Sequence, residues 1–245
     1  MGTSIVVTSG KGGTGKSTFT VGVASCLAAM GKRVLCIDMD MGLRNLDLML
    51  DLSDRALMDV TDVLEGRCSL ERAVTGHHMI HSLFLLPAPV TRPAEEIDQE
   101  RMRALVALAK EQFDFVFLDC PAGIGSGFRL ATCAADRAIL VCTTDPVSLR
   151  AAESAVQLLR RTGKPIHLAV NRITRSFLKI TRTTIDDAMD ALALPLIGII
   201  PDDPKVTLAA SKGQPVITCS DRGAARAFYN IANRLLGRQI PPMKI

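Results

Sequence analysis

Gly10-Lys11-Gly12-Gly13-Thr14-Gly15-Lys16-Ser17-Thr18 fits the spacing G-x-x-x-x-G-K-[ST] at every fixed position and adds a second lysine, Lys11. Glycines there let backbone N–H groups converge on phosphate oxygens, and a helix starting near Ser17 adds the positive end of its dipole. Lys16 is placed to reach the β- and γ-phosphates, and the Ser17 hydroxyl to ligate Mg²⁺. The apolar run Ile5-Val6-Val7 precedes the loop and helical spacing follows it, so the context is strand, loop, helix. These residues predict a site for ATP or ADP with Mg²⁺.

Acids follow at the ends of other apolar runs. Ile37-Asp38-Met39-Asp40 puts two carboxylates on one side of an extended chain. Asp40 is assigned to orient or activate an attacking water, and Asp38 to support the metal and its waters. Phe115-Val116-Phe117-Leu118-Asp119 has the Walker-B form, in which the carboxylate holds a metal-bound water. Cys120-Pro121-Ala122-Gly123 comes next, and Gly123 can bring a backbone N–H to the γ-phosphate. Gly123, Gly125 and Gly127 together predict a mobile loop. Asn171 offers a donor and an acceptor to an adenine edge, and Arg172 can stack on the base or pair with a phosphate. Pro201-Asp202-Asp203 closes a later strand and joins this group. His77, His78 and His81 lack the partners of a metal site and are expected as solvated loop residues.

The elements that must position these groups are legible as alternating patterns. Apolar runs at Ile5–Val7, Val34–Ile37, Leu83–Leu86, Phe115–Leu118, Ala138–Cys142, Ile166–Val170 and Ile197–Ile200 read as strands buried on both faces. Helical spacing covers Phe19–Met30, Gln99–Gln112, Leu149–Arg161, Thr184–Leu192 and about Gly223–Leu236, and an acidic helix start is expected at Glu95-Glu96. The sequence therefore predicts an α/β fold, a doubly wound, mostly parallel sheet with helices on both faces. All 245 residues fit one such domain, and 48% hydrophobic content excludes disorder. A net charge of +4 is too small to argue for nucleic acid. Seven cysteines, mostly in apolar segments and without a CxxC pair, read as reduced core thiols of a cytoplasmic protein.

The loop 10–18 with its extra lysine resembles the deviant Walker A of the MinD/ParA class of P-loop ATPases. Residues 38–48 and 118–124 are similar to the two switch segments of that family's septum-placing branch, and further likeness runs through 170–173, 195–202 and 230–237. The resemblance implies that Lys11 crosses an ATP-bound homodimer to touch the partner's nucleotide, and that hydrolysis is slow until a partner stimulates it. It also implies placement of the division septum by recruiting a MinC-like inhibitor, with a MinE-like activator in some lineages, at the inner face of the cell membrane. Members of that branch usually end in a basic amphipathic helix that enters lipid. Here Gly237 is followed by eight residues including Pro241-Pro242, so no such anchor is expected after Gly237. DNA is not an expected partner, although Arg172, Arg175, Lys179 and Arg182 form the basic run that a ParA-like partitioning ATPase would use. A flagellar-placement ATPase shares the same motifs. An iron–sulfur carrier is the more distant alternative, on Cys120 and Cys133.

Overall fold

The computed structural model describes residues 1–181, 184–241 and 243. Among these, eight strands form one sheet: β1 (Thr3–Thr8), β2 (Val34–Asp38), β3 (Thr75–Gly76), β4 (Leu83–Leu86), β5 (Phe115–Asp119), β6 (Arg137–Cys142), β7 (Ile166–Ile173) and β8 (Leu196–Pro201). Their order is β3-β4-β2-β5-β1-β6-β7-β8. All neighbours run parallel except β3 and β4.

The apolar runs are nearly continuous because both faces of the sheet are covered. On β1, Ile5 and Val7 pack into one core with helices Lys16–Ala29 and Ala224–Leu235. Val6 points the other way, into the core built with helices Gln99–Gln112, Ser126–Ala134 and Pro146–Arg160. The first helix is buried almost all round from Phe19 to Ala28, so its sequence shows no polar stripe. Phe19 meets Phe228 edge-on, with ring centroids 6.3 Å apart. Among the described residues no helix is long and apolar enough to cross a membrane.

Four expectations are corrected. Gly127 is not part of a mobile loop but lies in the first turn of helix Ser126–Ala134. A Cβ at Gly127 would come within 2.5 Å of Pro121 Cγ, so close packing, not mobility, requires the glycine. His77 is buried, not solvated; its Nδ1 accepts from the N–H groups of Met79 and Ile80 while its ring stacks on His78. It shapes the turn between β3 and β4, and burial pushes its pKa down to about 4. The helix expected at Glu95-Glu96 is one 3-10 turn, and the true start is Gln99, capped by Asp98. Of the thiols expected in the core, Cys219 is exposed. Arg182 and Pro242, named above, lie outside the described residues.

Candidate nucleotide site

Parallel strands bring their carboxyl ends to one edge, and the loops after β1, β2, β5, β6, β7 and β8 all open there. The loop after β1 ends at Gly15, whose φ of 92° is the left-handed conformation that spares glycine a steric penalty. A Cβ there would lie 2.3 Å from Asn171 Nδ2. Gly15 thus turns the chain tightly into helix Lys16–Ala29 beneath β7. That helix has no side-chain cap at its N-terminus and no acid in its first turn. Its first N–H groups and dipole are therefore left for an anion. The Thr14 hydroxyl is buried in the same loop without a hydrogen-bond partner. An orphaned hydroxyl beside uncapped helix donors fits a bound phosphate group.

Behind the loop, Asp119 accepts from Ser17 Oγ at 2.6 Å and from Thr20 Oγ1 at 2.9 Å. Asp38 is the register partner of Asp119 across β2 and β5. Its two oxygens accept from the N–H groups of Asp40 at 2.9 Å and Leu46 at 3.1 Å. The Asp38 carboxylate is thus spent on folding the loop that carries Asp40, a use its spacing does not reveal. Asp40 is half-buried, with Asn45 Nδ2 donating to its Oδ2 at 3.1 Å. Among the described residues no group of three or more acidic, histidine or cysteine side chains forms a metal cluster. A serine hydroxyl with one or two carboxylates suits Mg²⁺, which keeps waters and takes its other oxygens from phosphates.

Electrostatics follow from burial. Asp119 is pushed up to about 7, first by burial and then by Asp38, against the Ser17 and Thr20 hydrogen bonds and Lys16. Burial likewise raises Asp38 to about 6, in spite of its backbone donors. Burial also raises Asp40, opposed by Lys16 and Asn45. Cys120 is fully buried and pushed up to about 12, which makes it an inert spacer and not an exposed cluster ligand.

For Asp119 and Asp38 the folded values lie above the ordinary carboxylate range. Their stabilising contribution is therefore present at low pH and is lost as pH rises from about 4 toward about 7. His77 acts in the opposite sense below about 6.5 and is common to wild type and variant. Asp119→Asn is expected to gain on the wild type by up to roughly 1.4 kcal/mol per pH unit, levelling off above about pH 7. Urea unfolding without nucleotide or metal between about pH 5 and pH 8 checks this. A pH-independent difference would refute it.

Two cavities extend the site sideways. One of about 270 Å³ is bounded by Gly15, Thr18, Asn171, Arg172, Pro201, Asp202 and neighbours. A second of about 270 Å³ lies between Lys11, Gly12, Gly13, Thr14 and the loop Thr143–Asp145, again beside Arg172. Arg172 sits at a bulge in β7 with φ 56°, which turns it out of the ladder to touch both. Asn171 Nδ2 donates to Thr14 O at 2.8 Å, and its Oδ1 accepts from Arg172 N. Its carboxamide thus ties β7 to the phosphate loop. Lys11 is exposed, and its Nζ lies 3.7 Å from Asp145 Oδ1. Gly10 and Gly123 flank the same edge, at the ends of β1 and β5. Sequence reading missed Thr20 and Asp145. A hydroxyl one turn past Ser17 marks the first in retrospect, while Asp145 carries only the signal of a helix cap before Pro146.

The family model for the CobQ/CobB/MinD/ParA nucleotide binding domain matches residues 5–216. The chain belongs to this family. A septum site-determining protein MinD of Synechocystis sp. is 42% identical over 97% of this chain and 90% of the relative. The MinD of Bacillus subtilis is 39% identical over 98% of the chain and 91% of its own length. Among solved structures, a MinC:MinD cell division protein complex from Aquifex aeolicus is similar at TM-score 0.92 and 38% identity, covering 99% of this chain and 98% of that one. A septum site-determining MinD from Pyrococcus horikoshii complexed with Mg-ADP is similar at TM-score 0.85 and 30% identity over 96% of each chain. A ParA family ATPase from Chlorobium tepidum shares the fold at TM-score 0.81 and 24% identity. Within the CobQ/CobB/MinD/ParA family, the stronger likeness is to MinD proteins.

Proposed function

We propose that the chain is a Mg-ATP-dependent ATPase switch of the MinD type, one domain over residues 1–245, which dimerises around ATP and places the division septum. The observation that carries this reading is the phosphate loop with its uncapped helix start, backed by the Ser17–Asp119 pair and flanked by Asp40 and an outward Lys11. Relatives named for septum-site determination, one of them solved with Mg-ADP, support it, as does a cell division MinD solved with MinC.

Lys16 pairs with phosphate oxygens, and the loop N–H groups surround them. Ser17 and Asp119 hold Mg²⁺, which when bound offsets the phosphate charge; Asp38 supports it indirectly, through the shape of the Asp40 loop. Asp40 takes the proton of the attacking water; its burial makes it a better base than an exposed carboxylate. Gly123 lets the loop after β5 approach the γ-phosphate, and Arg172, Pro201 and Asp202 enclose the base and ribose while Asn171 fixes their wall. Lys11 reaches the partner's nucleotide, so dimerisation and ATP binding are linked. A MinC-like inhibitor binds the ATP dimer, and a MinE-like activator completes the site in lineages that have one.

Light scattering with ATP or ADP tests the switch. The wild type should double in mass with ATP alone. Lys11→Ala should bind ADP within about threefold of wild type yet remain monomeric with ATP. An undiminished ATP dimer in that variant would remove the reason for this assignment. A purified MinC-like inhibitor should then bind the ATP form and not the ADP form.

A further inference from the structure

Thr20 lies one turn beyond Ser17 in helix Lys16–Ala29, so both hydroxyls share a helix face. A threonine inside a helix ordinarily returns its hydroxyl to a carbonyl of the preceding turn. Thr20 instead donates across 99 residues of sequence to Asp119 Oδ1 at 2.9 Å, in a fully buried position. The other oxygen, Oδ2, accepts from Ser17 Oγ at 2.6 Å. The carboxylate is thus gripped at both ends, and rotation about its Cβ–Cγ bond would break one bond or the other. The grip has a consequence for Ser17. While its proton points back to Asp119 Oδ2, its oxygen lone pairs are free to face outward, toward the phosphate side.

We propose that Thr20 is a positioning residue for the magnesium site: it fixes Asp119 so that Asp119 fixes the Ser17 hydroxyl with its lone pairs outward. The inference rests on the nucleotide reading above and extends it to a side chain that touches neither nucleotide nor metal. Partners of this kind tune metal affinity by about tenfold to a hundredfold when removed. One lost hydroxyl with Ser17 still in place belongs at the lower end.

The test is binding of a fluorescent ADP to wild type, Thr20→Val and Thr20→Ser, titrated with MgCl₂ and repeated in EDTA. Thr20→Val should need about tenfold more Mg²⁺ to reach half of the metal-dependent tightening, with its affinity in EDTA unchanged. Thr20→Ser, which restores the donor, should follow the wild type. If Thr20→Val does not fold, Thr20→Ala reads the same midpoint. An unchanged Mg²⁺ midpoint in the valine or alanine variant would overturn the proposal. So would an equal loss in EDTA, since that would mean a distorted loop and not a misplaced carboxylate. Wild-type binding that ignores Mg²⁺ altogether would instead sink the nucleotide–metal reading, and this inference with it.

Discussion

Lys16→Ala protein is expected to bind ATP and ADP at least about a hundredfold more weakly than wild type while keeping its fold. Lys16 is nearly buried at the first position of its helix, and its charge acts on both Asp40 and Asp119. Each hydrogen bond to a charged partner contributes about 1.5–3 kcal/mol, and two phosphate groups fall within reach of one ammonium group. A loss of about 3 kcal/mol is about a hundredfold in affinity. The true effect should be larger, because the variant leaves Asp40 and Asp119 beside a polyphosphate without the cation that offsets both. Calorimetric titration measures it, with circular dichroism to verify folding. Affinity within about fivefold of wild type would show that the backbone cradle suffices and that the role given to Lys16 is wrong.

Asp40→Ala should behave in the opposite way. ATP should bind within a few-fold of wild type, because Asp40 carries a charge that opposes phosphate. Turnover should fall by about 10²- to 10⁴-fold, the range for removing a positioned base. The ATP dimer should then accumulate, and vesicle sedimentation of this trapped form asks whether the chain meets a lipid surface. Asn45→Ala is the matched control. It removes the donor that steers Asp40 Oδ2 and leaves the carboxylate, so turnover should drop far less than in Asp40→Ala. Single-turnover hydrolysis distinguishes the two. Equal losses would mean that orientation, not basicity, is the whole contribution; normal turnover in Asp40→Ala would refute the assignment.

The sequence by itself determined the parallel sheet, the phosphate loop and the strand ends that carry Asp38, Asp40, Asp119 and Asn171. Those features depend on local patterns: continuous apolar runs for strands buried twice over, glycines where backbone must approach phosphate, acids where runs stop. The tertiary structure alone decided what several of those groups touch. Asp38 reads as a metal supporter from its spacing, yet its oxygens are occupied by backbone N–H groups of its own loop. Asn171 reads as a base reader, yet its amide bridges to Thr14, 157 residues away. His77 reads as a solvated loop residue because its stretch lacks the partners of a metal site, yet two short antiparallel strands fold it inward. Gly127 reads as part of a mobile loop, although Pro121 leaves no room for a side chain there. For Asp38, Asn171 and His77 the deciding partner is distant in sequence or belongs to the backbone, and neither leaves a mark in residue type; for Gly127 it is the ring of a proline six residues back. A side chain's chemistry is written in its own letter, but the direction it faces is set by what the fold packs against it.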